Sequence, residues 1–293
     1  MTSTASSELT WGIGSAEPNP RKIDERAPTV ARMIVDRIAA TPDREAFRYP
    51  SGDRWVSVTW KEAGDRIRAL AAGLLSLGLR PEDRVAIASL TRYEWILADF
   101  ATMCAGGATT TIYPTTSPEE VGYILADSGS RVVFAEDDEQ LAKIETNRDQ
   151  LTDLVAVVTF DGTPDPDAAV PVLSLAELEK RGSEHLAAHP DAIEQAMAAI
   201  GPESLATLIY TSGTTGKPKG VRLVHDCWTY EGACIDAVNL LTPEHFQFLW
   251  LPLAHAFSTL LIGTPCRPSR RSAICPPTRC CPSITLCVVF EKK

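Results

Sequence analysis

The sequence predicts an α/β domain in which a mostly parallel sheet is flanked by helices. Three observations predict it. Strand-length apolar runs alternate with helix-period segments between residues 84 and 159, a pattern that calls for parallel pairing with crossover helices on the sheet faces. Side-chain caps and a terminal glycine mark the helix boundaries. The composition, 44% apolar and 23% charged over 293 residues, is that of an ordinary folded chain, long enough for a sizeable core.

Residues 1–26 read as a polar lead and 27–262 as the domain. Thr29 can cap a helix whose apolar positions Val30, Met33, Ile34 and Ile38 recur at helical spacing, with Pro42 closing it. Residues 45–49 and 55–58 flank Ser51, Gly52 and Asp53, a hairpin signal. Thr59 and Glu62 form a capping box ahead of the stripe Ala63, Ile67, Leu70, Ala71, Leu74 and Leu75, which stops at Gly78. Strands are expected at 84–89, 108–112, 132–135 and 154–159, and a helix at 93–105. Ser117, Pro118 and Glu120 supply a cap, a first-turn proline and a second capping box for a helix ending at Asp127. Residues 161–171, rich in proline and aspartate, read as a surface loop, and 174–189 and 191–199 as helices.

A formal charge of −10 argues against nucleic acid, whose phosphate backbone needs a basic face. Residues 1–17 lack the basic and apolar regions of a secretory signal, and no apolar run approaches the roughly 18 residues of a membrane span. The expected location is the cytoplasm, with peripheral contact at a membrane left open. Cys104, Cys227 and Cys234 fall in apolar or helical surroundings and are expected as buried reduced thiols.

The chemistry concentrates after a predicted strand at 205–210. Thr211, Ser212, Gly213, Thr214, Thr215, Gly216, Lys217, Pro218, Lys219, Gly220 and Val221 follow it directly. The glycines let amide N–H groups approach an anion, four hydroxyls add donors, and Lys217 and Lys219 bring the positive charge that the chain as a whole lacks. A hairpin whose glycines serve only the turn would explain neither the hydroxyls nor the lysines. The common P-loop is excluded, because only two residues separate Gly213 from Gly216 and Pro218 follows the lysine.

The run Tyr210-Thr-Ser-Gly-Thr-Thr-Gly-Lys-Pro-Lys-Gly-Val221 resembles the nucleotide loop of the adenylate-forming (AMP-binding) superfamily, which includes acyl-CoA synthetases, peptide adenylation domains and luciferases. Residues 59–62, 83–87 and 111–128 resemble further stretches of its first domain, the last of them in the manner of long-chain fatty acid–CoA ligases. Residues 248–257, Phe-Leu-Trp-Leu-Pro-Leu-Ala-His-Ala-Phe, resemble the next motif. The resemblance implies an incomplete N-terminal domain of that fold. It also implies ATP, Mg and coenzyme A, a fatty acid substrate, and ATP-dependent formation of an acyl adenylate and then acyl-CoA. By the same carry-over, residues 211–219 wrap the β and γ phosphates, Thr211 helps hold Mg, and His255 lines the acid pocket. A neutral histidine packed at a helix start is the other reading of His255. His225 also matches the family, and helix capping is its expected role. No catalytic side chain is assigned, since the acid's own carboxylate is the nucleophile.

The resemblance stops near Phe257. Residues 264–293 hold five cysteines, five prolines and four arginines without apolar periodicity, so 263–293 read as a tail unrelated to the fold. The cysteines lack the paired Cys-x-x-Cys spacing of a zinc site. A shift of coding frame between Ser258 and Thr264 would account for the change, leaving two functions: an acyl-CoA ligase, or a remnant that at most binds nucleotide.

Overall fold

Side-chain caps set where the helices begin. The computed structural model describes residues 17–211, 216–239, 246–249, 251–255 and 271–274, with backbone only at 246–248 and 271–274. After α1 (Arg21–Asp24), α2 (Val30–Ala40) opens on Thr29, whose hydroxyl accepts from the Arg32 N–H. The expected hairpin forms from β1 (Glu45–Ser51) and β2 (Arg54–Thr59). Thr59 and Glu62 then close the expected box on α3 (Trp60–Ser76), each side chain taking the other's backbone N–H, and Gly78 beyond its end stands at φ +82°.

β3 (Arg84–Ala88), α4 (Tyr93–Cys104) and β4 (Ala108–Ile112) follow the predicted order. α5 (Pro118–Ser128) opens with Ser117 accepting from the Glu120 N–H, the forward half of the expected box. Next come β5 (Ser130–Ala135), α6 (Asp138–Glu145), a 3-10 turn (Arg148–Gln150), β6 (Ala156–Thr159) and β7 (Val172–Ser174). α7 (Leu175–Ala188) carries a full capping box between Ser174 and Glu177, and α8 (Ala192–Ala198) follows. β8 (Leu205–Thr211) and β9 (Lys219–Val224) form a hairpin, with α9 (His225–Ala237), β10 (Phe246–Leu249) and β11 (Arg271–Ile274) beyond it. The strand–helix alternation calls for a helix between β5 and β6 without giving the bounds of α6, and periodicity does not anticipate β7, which is too short to display it. Nor does it anticipate β9, whose first four residues are exposed and carry no alternation.

Among the described residues the larger sheet has seven strands in the order β7-β6-β5-β3-β4-β8-β9, parallel throughout except for the β8–β9 pair. The chain steps one way from β3 to β4 and the other way from β4 through β5 to β6. Right-handed crossovers then put the helices on opposite faces. Strand residues divide accordingly. Val85, Ile87, Val132, Phe134 and Val158 join the core made with α3, α4 and α7, while Ala86, Ala88, Val133, Ala135 and Val157 join α5 and α6. α3 and α7 lie backbone to backbone: a Cβ on Gly182 would stand 1.8 Å from the Ala69 carbonyl oxygen.

The smaller sheet runs β10-β11-β1-β2. Four residues of the compositionally distinct segment, Arg271–Ile274, lie in it parallel to both β10 and β1. The expectation of three buried thiols holds only for Cys104; Cys227 is exposed and Cys234 half-buried, because both sit on the outward side of α9. Among the described residues no helix is long and apolar enough to cross a membrane.

Candidate nucleotide site

In a doubly wound sheet, ligands gather at the carboxyl ends of the strands, where successive connections leave for opposite faces. Here that crevice lies between β3 and β5, and it is closed. The Leu90 N–H donates to Glu136 Oε2 at 2.7 Å, and Arg92 meets Glu94 at 2.7 Å, Asp161 at 2.5 Å and Glu136 at 3.7 Å. With one arginine against these carboxylates, the crevice repels a polyphosphate.

The residues expected from the sequence to hold an anion begin further along the same edge, at the end of β8. Thr211 ends that strand and is exposed. Its cross-strand partner is Lys219, and the preceding pair is Tyr210 with Gly220. Because side chains alternate across a strand, Thr211 and Lys219 share one face and Tyr210 takes the other. Tyr210 turns toward α5, where its hydroxyl donates to Asp127 Oδ2 at 2.7 Å. Burial, followed by this bond to a carboxylate, pushes the tyrosine pKa up and keeps its proton in place. Gly220 makes room for the ring, since a Cβ there would lie 3.1 Å from it.

Gly216 sits at φ +116°, a conformation that favours glycine. Lys217 has its ammonium nitrogen 5.0 Å from the centroid of the Tyr123 ring on α5. Ser212, Gly213, Thr214 and Thr215 lie outside the described residues.

The second motif reaches the same edge. Thr91, in the loop after β3, donates to the Leu251 carbonyl at 2.7 Å and accepts from the Leu253 N–H at 3.2 Å. Thr111, near the end of β4, donates to the Ala254 carbonyl at 3.1 Å. Thr111 pairs with Ile209, so its side chain occupies the same sheet face as Thr211. Leu253 and Ala254 are buried beneath the segment, whereas His255 is exposed in a turn where its N–H donates to the Pro252 carbonyl. The structure thus gathers Thr211, Lys219 and residues 251–255 on one face and sets Lys217 on the other. Thr91 has no distinguishing sequence signal. Thr111 is one of three successive threonines in a strand buried at every position, so its residue type does not single it out either.

His225 is remote from this chemistry. It is buried, and its Nδ1 accepts from the Val30 N–H, so it caps α2 rather than its own helix. Burial lowers its pKa to about 4. Among the described residues, no three His, Cys, Asp or Glu side chains cluster to hold a metal ion.

The chain is similar to known proteins. The chain is 36% identical over 243 residues to the long-chain-fatty-acid–CoA ligase FadD15 of Mycobacterium bovis, an alignment covering 82% of this chain and 39% of the relative. It is 32% identical over 242 residues to the human long-chain-fatty-acid–CoA ligase ACSBG1, covering 80% and 33%. It therefore spans about two-fifths or less of the length of these curated relatives. The crystal structure of the anthranilate CoA ligase AuaEII in complex with anthranoyl-AMP superposes with a TM-score of 0.72 at 23% identity, over 87% of this chain and 46% of that one. The sequence profile described as AMP-binding enzyme matches residues 34–283, from α2 past β11. A match over that extent, on a fold that brings both motifs to one sheet edge, makes the chain a member of the AMP-binding enzyme family.

Proposed function

We propose that the β8–β9 hairpin holds the triphosphate of ATP and that the chain carries the nucleotide-binding part of a fatty acid–CoA ligase acting on long-chain acids. One observation carries the reading: Thr211 and Lys219 face the same side of the sheet edge as the segment at 251–255, which buried threonines tie down. The relatives named as long-chain-fatty-acid–CoA ligases support the acid class.

In the proposed reaction a carboxylate oxygen of the acid attacks the α-phosphorus, the bond to pyrophosphate breaks, and acyl adenylate forms. The sulfur of coenzyme A then displaces AMP at the acyl carbon. Neither step needs a protein nucleophile, so the chain contributes alignment and charge neutralisation. In this reading the Thr211 hydroxyl and Lys219 face the leaving phosphates, and His255 borders the acid. The exposed Thr211 hydroxyl suits a single oxygen ligand to Mg²⁺, an ion that takes few protein ligands alongside phosphate oxygens and water and that neutralises phosphate charge.

Calorimetry of the 293-residue chain with Mg-ATP tests the site. Binding that is lost in Lys217→Ala and Lys219→Ala is expected, and a silent wild type removes the proposal. Fatty-acid-dependent exchange of pyrophosphate into ATP tests the activation step, and binding without exchange would confine the chain to holding nucleotide.

A further inference from the structure

Lys217 and Lys219 stand two residues apart, yet the hairpin sends them to opposite sides of the sheet. Lys219 is paired with Thr211 on the face that carries residues 251–255. Lys217 lies over the Tyr123 ring, on the α5 side, with its nitrogen 5.0 Å from the centroid. That ring is fixed in place. Tyr123 packs partly buried against the α5–α6 core, and its hydroxyl reaches Asp127 Oδ1 at 3.5 Å. The other oxygen of Asp127 accepts from Tyr210 at 2.7 Å. One carboxylate therefore ties the base of the hairpin and the aromatic ring into a single unit.

We propose that Tyr123 is a positioning residue that holds Lys217 away from the phosphate face in the nucleotide-free chain and releases it when a triphosphate competes for the ammonium. The inference rests on the reading of the hairpin as a phosphate site. An exposed ammonium over a half-buried ring is weakly held, so the contact is strong enough to bias a resting position and weak enough to yield to a polyanion. ATP affinity then contains a penalty for breaking the contact, and removing the ring removes the penalty.

Two readouts separate this proposal from the reading beneath it. The first is trace acetylation of lysines in the nucleotide-free chain, followed by mass spectrometry. In the wild type Lys217 should label more slowly than Lys219, although both are exposed. In Tyr123→Leu the Lys217 rate should rise severalfold while Lys219 stays constant, and Tyr123→Phe, which keeps the ring, should match the wild type. Equal rates at the two lysines in the wild type overturn the proposal even where Tyr123→Leu fails to fold. The second readout is Mg-ATP calorimetry, in which Tyr123→Leu should bind roughly two- to fivefold more tightly than the wild type and Tyr123→Phe should not differ from it. Unchanged or weakened binding in Tyr123→Leu overturns the competition. A wild type that binds no nucleotide sinks the phosphate reading and the competition with it, while the labelling ratio still decides the resting contact.

Discussion

The backbone N–H of Val30, first residue of α2, donates over 3.3 Å to Nδ1 of His225, first residue of α9. A ring nitrogen that accepts is unprotonated, so the proton of the neutral ring resides on Nε2. The folded pKa of about 4 lies below the ordinary 6.5, because burial disfavours the cation. Between those values the unfolded chain takes up a proton that the folded chain refuses. The contribution of His225 is therefore complete above about pH 6.5 and falls away toward pH 4, by roughly 3 kcal/mol.

Asp99 works in the opposite sense. It is buried in α4, accepts from the Thr109 hydroxyl at 2.7 Å, and burial raises its pKa from 3.8 to about 6. Here the folded chain keeps a proton that the unfolded chain releases, so stability is lost as pH rises through about 6, by roughly 3 kcal/mol. The two contributions offset each other across the shared window. His225→Asn should therefore lose stability with rising pH relative to the wild type, and Asp99→Asn should gain it. Urea midpoints across the window check the signs, and parallel slopes in the three proteins would contradict both assignments.

Gly182→Ala should destabilise the chain by about 1–3 kcal/mol or more, because the added methyl meets the Ala69 carbonyl and the Gly73 nitrogen on α3. Neither partner can rotate away, as a flexible side chain would. A melting temperature equal to that of the wild type would show that α3 and α7 separate without penalty.

Thr91→Val should release the segment at 251–255. Its buried hydroxyl both donates to Leu251 and accepts from Leu253, so its loss removes two hydrogen bonds that tie the segment down, at about 0.5–1.5 kcal/mol each. Hydrogen exchange at the Leu253 amide should accelerate by an order of magnitude or more, and unchanged protection would place the anchor elsewhere.

Thr211→Val should weaken Mg-ATP binding by about tenfold, the effect of losing one hydrogen bond to a charged group, with melting unchanged because the side chain is exposed. Affinity equal to the wild type would remove Thr211 from the phosphate site.

Local chemistry made much of this protein legible in its sequence. Caps at Thr29, Thr59 and Ser117, the glycine at 78 and the alternating apolar runs depend on neighbours within one or two turns, and the α/β domain follows from them. The hairpin residues likewise carry the proposed phosphate site in their sequence, since hydroxyls, glycines and lysines stand close together there. Tertiary structure alone decided which face each residue serves. Separating Lys217 from Lys219 requires the β8–β9 register and the placement of α5 beside it. The bond from Val30 to His225 joins groups 195 residues apart, beyond any local pattern, and the closure of the β3–β5 crevice by Arg92 and its carboxylates depends on strand order. Short-range physics selects the elements; the contacts that position a site form only after distant segments have packed together.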